Sequence, residues 1–135
     1  MRLDLPLLVK MERKTKKPLK IYLNLNSYRN THYQTLNKAK AQYANELFEQ
    51  IEARSQILDP PLKCTYTLFP QSKRRIDLGN VLSIVQKFTE DALVTAGIIT
   101  DDDSTIITEV SHCIGPVDKD NPRVELLIEE IRCSS

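Results

Sequence analysis

Two apolar runs near the start of the chain, residues 3–12 and 19–26, have the length and composition of strands. The basic segment Arg13-Lys14-Thr15-Lys16-Lys17-Pro18 separates them, which predicts a hairpin with a positively charged loop. The period then changes. Leu36, Ala39, Tyr43, Leu47 and Ile51 recur at steps of three and four, so a helix over about residues 35–54 would place them on one face. Lys38, Gln42, Asn45 and Glu49 fall on the opposite face. Asp59-Pro60-Pro61 ends that region, because proline cannot continue a helix and drives its predecessor to extended backbone. Residues 62–69 have the β-propensity of a strand. A second helix is predicted over about residues 80–96, with Val81, Ile84 or Val85, Phe88, Ala92 and Ala96 as its apolar stripe. Gly97 stands where a left-handed helix cap is expected. Residues 105–110 and 124–131 complete the strands, with a polar connection over 115–122. The expectation is one α/β (α+β) domain over residues 1–135, a mixed sheet carrying two long helices.

Composition narrows the class. A chain of 135 residues can bury a core without disulfides. No apolar run approaches the roughly 20 residues that span a bilayer, so no membrane partner is expected. Leu5, Leu7, Leu8 and Val9 form a short run that holds Pro6, which argues against a signal peptide. Cys64, Cys113 and Cys133 are odd in number and widely spaced, as in a reduced intracellular protein without structural zinc. They are expected to be small buried hydrophobes.

Charge is divided unevenly along the chain. Residues 1–75 hold 15 Lys and Arg against 6 Asp and Glu, a surplus of nine positive charges. Residues 76–135 hold 4 against 12, a surplus of eight negative charges. A basic half suits a polyanionic partner and an acidic half suits metal ligands. Mutual neutralisation of the two halves, within the chain or between subunits, accounts for the same numbers.

Candidate chemistry concentrates between Lys73 and Asp103. Asp77 follows Lys73-Arg74-Arg75, and Asp101-Asp102-Asp103 follows the second helix. Carboxylates holding Mg²⁺ or Mn²⁺ can activate a water for phosphodiester cleavage, while neighbouring cations position phosphates. Turn and cap formation is the commoner reason for aspartates at such places. A straight helix of some 17 residues is about 25 Å long, so its two ends cannot share one metal ion within a subunit. A composite site across a two-fold dimer is one solution. A sheet that returns the chain to its starting edge is the other.

The ordered set Lys73-Arg74-Arg75-Ile76-Asp77-Leu78-Gly79-Asn80, Gln86-Lys87, Asp91-Ala92-Leu93, Ala96-Gly97 and Asp101-Asp102 resembles the RusA family of phage and prophage Holliday-junction resolvases. Asn24-Leu25-Asn26-Ser27-Tyr28-Arg29-Asn30, His32-Tyr33 and Leu36-Asn37-Lys38-Ala39-Lys40 resemble longer phage members. The resemblance implies a RusA-like fold, a homodimer, and Mg²⁺-dependent paired nicking of four-way DNA junctions in a bacterial or bacterial-host cytoplasm. It implies Asp77, Asp101 and Asp102 as metal ligands. Asp77 and Asp102 would act with Lys87, which would meet the scissile phosphate or developing charge.

Three departures qualify that match. Gly79 stands where a second aspartate is expected, the helix is four residues longer than in shorter members, and Ile76 replaces a basic residue. Four residues make about one turn, so Lys87 keeps its register with Asp91. Asp103 or a water would complete the coordination lost at Gly79. A non-catalytic protein that binds branched DNA is the alternative outcome. Lys73, Arg74, Arg75, Arg29, Lys38 and Lys40 are the candidate DNA contacts, and Tyr28 and Tyr33 could stack on an opened base. His32 and His112 are isolated in the sequence, which favours structural roles.

Overall fold

The first apolar run folds as two strands, not one, in the computed structural model, which describes residues 1–54 and 57–131. Pro6 has no amide hydrogen for a ladder, so β1 (Arg2–Leu5) stops before it and β2 (Leu8–Met11) begins afterwards. β1 joins the main sheet. β2 pairs antiparallel with β3 (Leu19–Tyr22), Val9 opposite Ile21 and Lys10 opposite Lys20. The expected hairpin therefore forms as a separate two-stranded arm.

The strand expected over residues 19–26 is cut short. Asn24 is extended, and its side chain accepts from the Ser27 amide at 2.8 Å. That cap starts a short helix, α1 (Leu25–Asn30). α2 (Tyr33–Arg54) follows and buries the five predicted residues Leu36, Ala39, Tyr43, Leu47 and Ile51.

β4 (Leu62–Phe69) buries alternate residues, Leu62, Cys64, Tyr66 and Leu68. α3 (Leu78–Thr95) begins two residues before the predicted start, because Asp77 caps it. Its buried face is Leu82, Ile84, Val85, Phe88, Ala92 and Leu93, with Thr89 and Glu90 also buried. Val81 is only half-buried and Ala96 is exposed. The helix ends at Thr95, and Gly97, at φ +76°, turns the chain as predicted. Its amide donates to Val94 and that of Ile98 to Leu93. β5 (Ile107–Ile114) starts later and runs further than expected, because a turn around Asp103 precedes it. β6 (Arg123–Glu130) closes the chain's visible course, and Cys133 lies outside the described residues.

The main sheet has the order β1-β6-β4-β5, with β4 and β5 parallel and the other pairs antiparallel. This is the mixed α/β (α+β) architecture the sequence suggested. β4-α3-β5 is a crossover unit, so α3 carries the chain from one end of the sheet back to the other. α2 lies against α3 in the opposite direction: Tyr43 meets Thr89 and Lys40 meets Asp91. Thr89 donates its hydroxyl hydrogen to the Val85 carbonyl, so the Tyr43 hydroxyl must donate to Thr89 Oγ1 at 2.6 Å. The Tyr43 ring stands edge-on to Phe88 at 5.6 Å. Among the described residues, no helix is long and apolar enough to cross a membrane.

Candidate nucleic-acid interface and carboxylate clusters

At the end of β4 the chain leaves the sheet at Pro70 and passes through the exposed residues Lys73, Arg74 and Arg75 to Asp77. Asp77 Oδ1 accepts from the Gly79 amide at 3.1 Å and the Asn80 amide at 3.4 Å. These are donors that a helix start leaves unpaired. Asn80 Oδ1 accepts from the Leu25 amide at 3.1 Å, which ties α1 to this end of α3. A Cβ on Gly79 would stand 3.5 Å from Asp77 Oδ1, an ordinary contact. A β-carbon is therefore sterically admissible at this position. Glycine leaves Asp77 as a single carboxylate.

Beside this helix start lies a groove of about 890 Å³. Leu7, Lys10 and Tyr22 of the hairpin arm and its base form one wall. Arg74, Arg75 and Ile76 of the loop after β4 form another, and Leu47 and Leu68 contribute to the apolar lining. Arg123 also borders it, but its guanidinium is committed to Asp118 at 2.7 Å and Glu125 at 2.8 Å and stacks 4.3 Å over Phe69. Arg74 and Arg75 have no ion pair among the described residues.

The other end of α3 is acidic. Asp101 accepts from the Asp102 amide at 2.7 Å, and Asp103 accepts from the amide and hydroxyl of Thr105. The Thr105 hydroxyl, then its amide, hold the Asp103 carboxyl below its ordinary range. Asp103 is therefore the turn-former that leads into β5. The Asp102 carboxylate has no hydrogen bond or salt bridge among the described residues.

Glu90 belongs with this end and was not singled out from the sequence. Burial pushes its carboxyl up to about 7, and the charges of Asp102 and Asp91 add to that, while the polar side chains of Gln86 and Tyr66 beside it work against it. Glu90 Oε1 and Tyr66 Oη are both buried without a hydrogen-bond partner among the described residues. Burial, followed by the charge of Glu90, raises the Cys64 thiol to about 12 and also keeps Tyr66 protonated. Cys64 is thus an inert core residue, as expected, while Cys113 is half-buried. The sequence did hold a signal for Glu90. It lies eight residues after Leu82 and three before Leu93, which places all three on one side of a helix. His112 Nε2 pairs with Gln86 Oε1 at 2.8 Å and its ring stands edge-on to Tyr66 at 6.0 Å. Burial lowers its pKa, so His112 is a neutral donor to Gln86 with a structural part in this cluster.

The fold keeps Asp77 apart from the triplet. α3 is unbroken over 18 residues, about 27 Å at 1.5 Å per residue. Its two flanks belong to opposite ends of the parallel β4–β5 pair. Of the two sequence-based solutions, the sheet does not return the chain to its starting edge. Among the described residues, no three His, Cys, Asp or Glu side chains stand together where they could hold a metal ion. One chain therefore does not assemble the expected Mg²⁺ or Mn²⁺ site from Asp77, Asp101 and Asp102.

The candidate DNA contacts also divide. Lys73, Arg74 and Arg75 sit at the Asp77 end, while Lys40 pairs with Asp91 at 3.7 Å toward the acidic end. Lys40 also lies 5.8 Å over the Phe88 ring, a helix-to-helix contact. Arg29, Lys38 and Lys87 are exposed. Tyr28 packs partly against the core, and Tyr33, beside His32 at 4.7 Å, is exposed. His32 Nδ1 accepts from the Gln34 amide at 3.2 Å at the start of α2. The sequence-based list did not include Tyr22. Compared with known proteins, the chain matches no family model and no curated protein.

Proposed function

We propose that the protein acts on branched DNA as a homodimeric endonuclease that introduces paired nicks in four-way junctions. Its proposed setting is the cytoplasm of a bacterium or of a phage's bacterial host. One observation carries the DNA part of this reading. Cations far apart in sequence, Lys10 of the hairpin arm and Arg74 and Arg75 of the loop before Asp77, border a single groove. Such a surface neutralises phosphates and weakens steeply with salt. The nuclease part rests on the resemblance of residues 73–103 to junction resolvases and on the exposed carboxylates of Asp77 and Asp102.

Within this reading Asp77 and Asp102 are contributed to each site by different subunits, with Asp101 beside Asp102. Two-fold symmetry then creates two equivalent sites for the two strands that must be cut. Lys87 is exposed midway along α3 and would meet backbone phosphate. A second reading, a junction binder that does not cut, draws on Gly79 and on the use of Asp77 as a helix cap.

Incubation of the protein with a synthetic four-way junction and Mg²⁺ or Mn²⁺ decides between the two. Paired nicks that disappear in Asp77→Asn and in Asp102→Asn support the endonuclease. Tight junction binding with no nicks under either metal establishes the binder in its place.

A further inference from the structure

We infer that the groove between the hairpin arm and the loop before α3 is a binding site for unstacked, single-stranded DNA. The inference rests on the DNA reading above and names the form of DNA this site takes. Its volume of about 890 Å³ is on the scale of a small-ligand pocket, which matches a few unstacked nucleotides.

The lining has the two properties that single strands require. Its floor and walls are apolar in large part, with Leu7, Leu47, Leu68 and Ile76 among the lining residues. On its wall Tyr22 is 50% exposed, a large ring left in water although the neighbouring strand residue Ile21 is buried. Every base has a π-face that can stack on such a ring, whatever the sequence. The rim is cationic. Lys10, Arg74 and Arg75 border the groove and are exposed, while Arg13, Lys14, Lys16, Lys17 and Lys20 lie further along the arm, outside its lining. Asp4 and Glu46 are the acidic lining residues, set against Lys10, Arg74 and Arg75, which have no ion pair among the described residues. A peptide partner fits the apolar floor but leaves this positive rim unmatched, unless it is strongly acidic. Phosphates flanking a stacked base match both features. A four-way junction exposes unstacked bases only where its arms are opened, so such a groove would hold an opened strand beside Asp77.

The test is binding of a labelled oligothymidylate of about ten nucleotides by fluorescence anisotropy, over a salt series, with a duplex of equal length as competitor. The intact protein should bind the single strand, and the duplex should compete poorly. Tyr22→Ala should weaken single-strand binding roughly 5- to 150-fold, while Tyr22→Phe retains it, since stacking needs the ring alone. Replacing Arg74 and Arg75 together by alanine should flatten the salt slope by about 1.4, at about 0.7 per phosphate contact on a single strand. Unchanged affinity in a folded Tyr22→Ala protein overturns the inference, as does equal competition by the duplex. A sedimentation change in Tyr22→Ala without loss of DNA binding gives the groove to a second copy of the chain instead, and also overturns it. Junction cleavage is scored separately. A nuclease indifferent to Tyr22 leaves the proposed function standing and removes only this site, and single-strand binding without cleavage does the reverse.

Discussion

The two ends of α3 both carry aspartates, and in each case backbone amides explain why the residue type is there. At the first end Asp77 caps the helix with an oxygen that also faces solvent beside a basic groove. At the second end Asp101 and Asp103 are used by local turns, while Asp102 has no bonded partner among the described residues and faces the charge of Glu90. One end gathers cations from two distant segments. The other gathers carboxylates and raises the proton affinity of a buried one. The contrast teaches that a carboxylate's neighbours, not its presence, decide what it can do. A phosphate is attracted to the first end and repelled from the second, and under the proposed function the two ends meet across a dimer.

The largest expected effect tests that meeting. Asp77→Asn and Asp102→Asn should each lower junction nicking by about 10²- to 10³-fold, the scale for losing one main stabiliser of transition-state charge. Mixing the two inactive proteins should restore about a quarter of the rate, because half of randomly paired dimers are mixed and one of their two sites is whole. Recovery read on a gel supports composite sites. A mixture as inactive as its components would mean that the two ends never share a site.

A smaller change follows from Gly79. The backbone leaves room for a β-carbon there, two residues from Asp77. Gly79→Asp should tighten Mn²⁺ binding about tenfold or more, within the range by which groups around a metal tune its affinity. Titration calorimetry of the whole protein reads this directly. If metal binds only at the acidic end, the affinity will not move, and the comparison between the ends loses its first member as a metal site.

Glu90 gives the acidic end a pH signature. Its folded-state pKa of about 7 lies above the ordinary 4.5, so the fold holds this proton more tightly than the unfolded chain does. Its contribution to stability is complete below the unfolded value and is lost as the pH rises through about 7. Glutamine cannot ionise. Glu90→Gln should therefore match the parent near pH 4 and exceed it near pH 8 by an amount on the order of 1–3 kcal/mol, the stability lost when the raised carboxyl ionises. Chemical denaturation at the two pH values measures the gap. A gap that shrinks as pH rises would remove Glu90 from the buried cluster.

These ends were legible in the sequence to different degrees. Periodicity found both long helices, because each buries one stripe and residues such as Tyr43 and Phe88 leave no doubt about which. β-Propensity found β4, and Gly97 marked the end of α3. The division of the first strand was foreseeable from Pro6, yet apolar content outweighed it. Asn24 was harder, since a cap is one residue's side chain competing with a whole run's β-propensity. What pattern could not supply was adjacency. Nothing local says that Tyr22 and Arg74 border one groove, or that Lys40 faces Asp91 instead of lying with Arg74. Those pairings depend on the antiparallel packing of α2 on α3 and on a crossover that separates Asp77 from Asp102.

The smallest effect concerns the boundary between the two ends. Lys38 and Lys40 are two residues apart on α2, yet only Lys40 pairs with Asp91, with side chains 28% and 44% exposed. An ion pair that open is worth about 0.2–1 kcal/mol, so Lys40→Met should lower stability by a few tenths. Its ammonium is already matched, and its DNA affinity should stay within about twofold of the parent, since a screened and paired charge adds little phosphate attraction. Lys38→Met should leave stability unchanged. Its effect on the salt dependence of junction binding then shows how far the DNA face extends along α2. A slope flattened by about 0.9 would add one phosphate contact at Lys38. If Lys40→Met flattens the slope instead, the Lys40–Asp91 pair opens when DNA binds. The acidic end would then lie under the DNA within a single subunit, and the separation drawn between the two ends would hold only for the free protein.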